Sequence, residues 1–332
     1  MNFSNKVILI IGGTGTIGQA LVRKLLNYNP KVIRVYSRDE YKQFVMQQEL
    51  AEYRNLRFLL GDVRDKERLN RAMKGVDIVF DLAAIKHVPA AEYNPFEAVK
   101  TNVLGTQNVI ECAIENKVEK VIYTSSDKAV SPTNTMGATK LLAERLIASA
   151  DYYKGGDKPI FAGVRFGNVI GSRGSVIPLW VKQIKEKREI TLTHPEMTRF
   201  MMTIDEAVDL VLKACEIATG GEIFILKMPA VKLGDLADVV IDITCKKYNI
   251  DKSKIIKKII GLRPGEKMYE ELMNCKELKE SIEYEKMFAV FPSHKLDLLE
   301  SYDRKPNRST YSSNDEKPLS KDEIYELIKD II

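Results

Sequence analysis

Cysteine and histidine are scarce in this chain. The four cysteines fall at positions 112, 215, 245 and 275 without a CxxC pair, and the only histidines are His87, His194 and His294. That pattern gives no basis for a structural zinc or a disulfide framework, so we expect no metal. Long apolar runs are missing as well: a membrane span needs about 20 residues, and the run at residues 7–11 is too short for that or for a signal peptide. We therefore expect a cytoplasmic protein without membrane attachment. Charge of one sign is also lacking, since 51 basic against 46 acidic residues leave only +5. Nothing in that balance points to nucleic acid, although a phosphate-bearing small ligand is compatible with it.

What is present is an ordinary globular composition, 45% apolar and 29% charged over 332 residues, enough to bury a large core. Residues 6–11, KVILII, read as a buried parallel strand, and GGTGTIG follows at once. Apolar residues then recur at helical spacing, so Gly12, Gly15 and Gly18 lie on a strand, a turn and a helix start. Glycines there let the backbone approach a pyrophosphate at a helix N-terminus. The segment fits both GxGxxG from Gly13 and GxxGxxG from Gly12. A second strand at residues 31–36 ends in Ser37, Arg38 and Asp39. Ser and Arg suit a 2′-phosphate, which favours NADP; Asp39 keeps NAD open, because an acid there can hold a ribose hydroxyl. Third and fourth strands, residues 57–60 and 78–82, lead into Asp62-Val63 and into Ala83-Ala84 with Lys86 and His87. Asp62 suits the adenine amino group or the N-cap of a helix at 66–73. His87 reads as a packed histidine outside the chemistry. Asn94-Pro95 opens a long helix through Glu115, on which Asn102 has the propensity of a surface residue.

The fifth strand, residues 120–124, delivers YTSSDKAVSPTNTMGATK. It places Ser125, Ser126, Asp127 and Lys128 at a strand end and brings Lys140 in on the next helix. Ligands bind at the carboxyl ends of strands in open α/β sheets, so an acid and an amine side by side there suggest a site. Strand and helix alternate up to this point, which predicts a doubly wound parallel (Rossmann) sheet over residues 1–170, with some later segments returning to it. A sixth strand at 161–166 closes that unit. Residues 171–332 mix helices (205–219, 233–248 and a last one capped by Ser320 and Glu323) with short strands (222–226, 254–259). We expect a smaller α/β substrate-binding lobe and a C-terminal tail there.

Together GGTGTIG, YSRDEYKQ, GDVRD, LAAIKHVPAAEYNPFEAVKTNVLGTQNVI, SSDKAVSPTNTMGATK, VRFGNVIGSRGSVIP, TRFMM and GLRPGEKMYEEL resemble the extended short-chain dehydrogenase/reductases. More narrowly, they resemble the inverting UDP-N-acetylglucosamine 4,6-dehydratases of capsular and other surface polysaccharide synthesis, over about residues 6–272. The resemblance implies that Thr14, Thr16 and Ile17 join the three glycines at the pyrophosphate. Ser37, Arg38 and Lys42 would take the NADP 2′-phosphate, and Asp62 and Val63 the adenine. Ala83, Ala84, Lys86 and Asn102 would lie on the cofactor side, with Lys140 on the nicotinamide ribose. Lys86, Asn168, Ser175 and Val176 fall in motifs facing the nucleotide sugar, while Arg199, Arg263 and Glu266 match positions near its diphosphate and uridine ribose. A homo-oligomer, a hexamer or a dimer-based assembly, is also implied.

One position departs from the superfamily. Its YxxxK tyrosine is Met136 here, and a thioether moves no proton; the resemblance extends to a subgroup of dehydratases that carry Met there. The implied chemistry is oxidation at C4, removal of the C5 proton by a neutral Lys128, and protonation of O6 by Asp127. For that, the Lys128 pKa must fall. Lys128 itself, or a water held by Ser126 and Lys140, would take the 4-hydroxyl proton. A UDP-sugar 4-epimerase, a dehydratase that also epimerises C3, and a catalytically silent NADP-binding sensor or scaffold are the competing expectations.

Overall fold

The structure, a computed structural model, describes residues 3–301 and 304–332. Strands β1 (Val7–Ile11), β2 (Val32–Ser37), β3 (Leu56–Leu60), β4 (Ile78–Asp81), β5 (Lys120–Thr124) and β6 (Ile160–Arg165) alternate with helices. The helices are α1 (Thr16–Leu26), α2 (Glu40–Glu49), α3 (Lys66–Met73), the group α4 (Val88–Tyr93), α5 (Pro95–Ala98) and α6 (Gly105–Glu115), and α7 (Thr135–Tyr153). The central strands β1, β4 and β5 are mostly apolar and covered: Leu9, Ile10, Val79 and Ile122 have no exposure, as strands buried on both faces require. Several helix starts carry the side-chain caps that orphan N–H groups need. Asp39, Asp65 and Asn134 each accept the backbone N–H three residues on.

The remaining elements are β7 (Asn168–Val169), α8 (Val176–Lys187), β8 (Glu189–Leu192), β9 (Thr198–Met202), α9 (Ile204–Ile217), β10 (Ile223–Leu226), β11 (Ala230–Lys232) and α10 (Leu233–Tyr248). They are followed by β12 (Ile256–Ile259), β13 (Glu271–Met273), α11 (Cys275–Lys279), β14 (Ser281–Glu283), β15 (Met287–Val290), β16 (Tyr311–Ser312) and α12 (Lys321–Ile328), with the Ser320–Glu323 capping box in place. The main sheet runs β3, β2, β1, β4, β5, β6, β10, β15, β14. Chain order reverses between β1 and β4, both parallel, and that crevice is where an open α/β sheet binds its ligand. Beyond β6, the chain adds β10 in parallel and β15 and β14 antiparallel. Buried Arg165 on β6 ties this edge together, bonding Glu144 of α7 at 2.6 Å and Glu277 of α11 at 2.8 Å.

Two local expectations change. The helix expected from Asn94 to Glu115 is interrupted by a π-helical segment, Val99–Leu104, a form that often accompanies function. It turns Asn102 inward, 1% exposed, so this residue is not on the surface. Its amide accepts from Ile85 N at 2.8 Å and donates to Ile85 O and to Thr139 Oγ1, at 3.1 and 2.9 Å. Asn102 thereby clamps the loop after β4 to α7. The cap of α3 is Asp65 and not Asp62, whose carboxylate is occupied by Arg64.

Gly137 decides how α7 meets the turn after β5. A Cβ there would lie 2.1 Å from Lys128 O, inside any van der Waals contact. Gly137→Ala should therefore push the turn and helix apart and destabilise the protein by about 1–3 kcal/mol or more, read from urea unfolding. An unchanged midpoint would contradict this packing.

Candidate active site

Four strand ends open onto one cavity of about 680 Å³, through Gly12 after β1, Leu82 after β4, Ser125 after β5 and Phe166 after β6. A second hollow of about 280 Å³ adjoins it over the ends of β2 and β3. Gly12, Gly15, Lys42, Leu82 and Ala84 belong to both. Gly12 has φ +76°, a conformation open to glycine, and a Cβ there would meet Ala83 N at 3.0 Å. Helix α1 starts at Gly15 and Thr16 with no side-chain cap and no acid in its first turn. Its first N–H groups are thus left for a ligand at the cavity edge beside Thr16, Ile17 and Gly18, and this arrangement fits a dinucleotide pyrophosphate.

The smaller hollow is lined by Thr14, Ser37, Arg38, Asp39, Lys42 and Asp62, with Val63 and Ala83 beside them. Asp39 is engaged by α2: it caps the helix at Lys42 N, 2.9 Å away, and pairs with the Lys42 amine. The Ser37 hydroxyl accepts from Gln43 at 3.0 Å. Arg38 is exposed, with Asp62 at 3.6 Å. Burial raises the Asp62 pKa, but its bonds to Arg64 and the charge of Arg38 outweigh that and hold it below the usual value.

Lys86, Asn168, Ser175 and Val176 line the main cavity. The Lys86 amine donates to Arg173 O at 2.9 Å, and burial followed by the Arg173 charge lowers its pKa. Met136 lines the cavity and packs with Ala91 and Ala98 against Ile85 and Val88. Lys140 lines it too, with its amine donating to Thr124 O at 2.8 Å and lying 4.7 Å over the Tyr123 ring. Burial lowers the Lys140 pKa to about 8, against the pull of Asp81 and Glu144. Asp81, fully buried behind it, is pushed up to about 6 by its own burial.

The turn after β5 is held to the end of β6 by Ser125 N and Asp127 N, which donate to Val164 O and Phe166 O. This aims Ser126 and Lys128 at the cavity and Asp127 behind them, 1% exposed. Asp127 Oδ1 accepts from Ser126 Oγ at 2.7 Å, Lys128 N at 2.9 Å and Lys128 Nζ at 3.0 Å, while Oδ2 is buried without a partner. The expected fall in the Lys128 pKa is not what this arrangement produces. Burial lowers it, but Asp127 and Glu270 together outweigh burial and hold the amine protonated in the resting protein.

Arg199 is buried away from the cavity wall, donating to the backbone of Thr198 and Lys267 at 2.7 and 2.9 Å, with Glu266 at 3.6 Å. Arg263 is exposed, and its N–H donates to Glu266 at 3.1 Å. These three residues gather around the loop before β13 and do not line the cavity. Sequence reasoning passed over three neighbours. His87 lines the cavity, close enough to Gly174 that a Cβ there would meet its ring at 2.6 Å. Arg173 crosses to the glycine loop, donating to Thr14 O. Glu270 sits 3.5 Å from the Lys128 amine; the only sequence signal for it was an acid in a strongly polar motif, GEKMYEEL.

Relatives match this chain over nearly its whole length. The chain is 54% identical to an uncharacterized membrane protein of Methanocaldococcus jannaschii, covering 99% of this chain and 97% of that one. Among the described residues here, no helix is long and apolar enough to cross a membrane. It is 42% identical to a UDP-N-acetylglucosamine 4,6-dehydratase (inverting) of Campylobacter jejuni, covering 98% of each. It is also 40% identical to a UDP-glucose 4-epimerase of Rickettsia rickettsii, covering 98% and 96%. The X-ray structure of Pen from Bacillus thuringiensis superposes over 100% of both chains with a TM-score of 0.95 and 50% identity. Residues 8–292 match the polysaccharide biosynthesis protein family, and the chain belongs to it.

Proposed function

We propose that this protein catalyses the NADP-dependent 4,6-dehydration of UDP-N-acetylglucosamine with inversion at C5. The product is UDP-2-acetamido-2,6-dideoxy-β-L-arabino-hex-4-ulose, for surface polysaccharide or glycan synthesis. The observation that carries this reading is the Asp127 and Lys128 pair, 3.0 Å apart, at the wall of a cavity shared with the glycine loop and Lys140. Support for NADP comes from exposed Arg38 beside Ser37 and Lys42, with Asp39 already engaged as a helix cap. When bound, the nicotinamide supplies the hydride acceptor for C4 and the hydride donor for C6.

The chain's residues handle the protons. Met136 offers no acid or base, whereas Lys140, with a pKa near 8, is partly free amine near neutral pH and takes the 4-hydroxyl proton directly or through one water. The C4 ketone then acidifies C5, whose proton passes to Lys128 Nζ once that amine has given up its resting proton. Asp127, bonded to that amine, receives the proton and delivers it to O6 as water leaves. The sugar loses two protons, one from the 4-hydroxyl to Lys140 and one from C5 that leaves with O6 as water; C5 regains one from water on its opposite face, and Lys140 returns its own to solvent, so the count closes. A 4-epimerase is the second reading, favoured by the name of the R. rickettsii relative.

Lys128→Ala should abolish water loss from UDP-N-acetylglucosamine, followed by mass spectrometry, while NADP binding persists. Met136→Leu should keep kcat within about threefold, since only packing changes. Turnover in the first variant, or a collapse in the second as large as that of the first, would contradict the assignment. Because the free amine of Lys140 is the active form, kcat should fall as pH drops through a midpoint near 8, or lower once a positive nicotinamide adds to burial. A rate that is flat between about pH 6 and 9 would exclude Lys140 as that base.

A further inference from the structure

The acid and amine do not stand alone. Lys128 Nζ lies between two buried carboxylates, Asp127 Oδ1 at 3.0 Å and Glu270 Oε1 at 3.5 Å. Glu270 comes from the segment before β13, far along the chain, and is 4% exposed. Its backbone N–H is fixed by Ser313 Oγ at 3.0 Å, and Ser313 in turn meets Thr198 Oγ1 at 2.9 Å. Arg199 of β9 faces the carboxylate at 3.9 Å, and Lys267 adds a weaker positive field. The groups facing Lys128 are thus Asp127, Glu270 and Arg199.

This cluster bears on a difficulty in the reaction: Lys128 must be neutral to take the C5 proton, yet two acids hold it charged. Lys128 lines the cavity, so a substrate that fills the cavity would cover the amine and leave the two buried acids as its nearest proton acceptors. We propose that Glu270 is a positioning residue acting through Lys128, taking the resting ammonium proton when substrate fills the cavity and returning it at the end of turnover. This proposal rests on the dehydratase reading for its kinetic part. In the step, one Nζ–H bond breaks and one Oε1–H bond forms, so an ion pair becomes a neutral pair with no change in net charge. Expulsion of water by the substrate favours the neutral pair, because desolvation penalises both charges. Burial, with Asp127 nearby, raises the Glu270 pKa against Lys128, Arg199 and Lys267, so this carboxyl is suited to receive a proton. Asp127 stays free to carry the C5 proton on to O6.

The test is Glu270→Gln beside Glu270→Asp. Wild type should level off above the midpoint of the Lys140 limb, because the Lys128 proton stays inside the site. Glu270→Gln should lower kcat at pH 8 by about 10²-fold, with KM and NADP binding unchanged, and its rate should keep rising with pH as Lys128 loses its proton to solvent instead. Glu270→Asp should recover at least about a tenth of the wild-type kcat. A uniform loss with the wild-type pH profile, or a rise in KM alone, would overturn the proposal. A second arm needs no turnover: Lys128 acetylation by limiting acetic anhydride, read by peptide mass spectrometry, should be faster in Glu270→Gln, which has lost one counter-charge on the amine. An unchanged labelling rate overturns the proposal whatever the substrate. If wild type releases no water from UDP-N-acetylglucosamine, the dehydratase reading fails, and labelling alone decides whether Glu270 governs the Lys128 proton.

Discussion

The site depends on excluding water from one small group of charges. Asp127, Glu270 and Arg199 are nearly fully buried, and Lys128 alone among them reaches the cavity. Opposite charges a few Å apart attract by about 1 kcal/mol in water and several times more in a protein. In such a place, the position of a proton is set by neighbouring residues and not by solvent. Three separate parts of the chain build this environment. The turn after β5 brings the acid and amine, β9 brings the guanidinium, and the loop before β13 brings the second acid. The bare Gly137 lets α7 close over the turn, and the inward Asn102 holds that helix against the loop after β4.

Lys140 shows the same physics with the opposite sign. Its flanking acids, Asp81 and Glu144, do not offset its burial, so this amine is the one that loses its proton easily. Two lysines in one cavity are therefore driven apart in protonation by their surroundings, the usual way in which one site comes to hold both an acid and a base. In this setting, Met136 is explained as a wall residue packed on Ala91 and Ala98.

Much of this was legible in the sequence because it is local. The β-branched runs ahead of GGTGTIG, SRD and SSDK placed strand ends at the loops that line the two hollows, and sheet order put those loops side by side. What was not legible depends on long-range packing. Asn102 looks like a surface residue in a helix until a π-helical turn rotates it inward. Glu270 lies 142 positions after Lys128, and no periodicity links the two. The Lys128 pKa is raised and not lowered because Asp127, its sequence neighbour, and then Glu270 together outweigh burial, and the second of these acids could not be seen from the sequence. Arg199 matched a motif, yet its guanidinium is spent on backbone carbonyls and faces Glu266 and buried Glu270. The smaller hollow was read more directly, since Ser37, Arg38, Lys42 and Asp62 lie within one strand end and its neighbour.

The central claim is that hydride taken from C4 is returned to C6 of the same sugar while the acid–amine pair removes water. The measurement that tests it most directly is turnover of UDP-N-acetylglucosamine carrying deuterium at C4, with NMR and mass spectrometry of the product. The account predicts loss of one water and deuterium in the new C6 methyl group. Deuterium remaining on C4 of a sugar of unchanged mass, with the configuration there inverted, would contradict it and identify an epimerase.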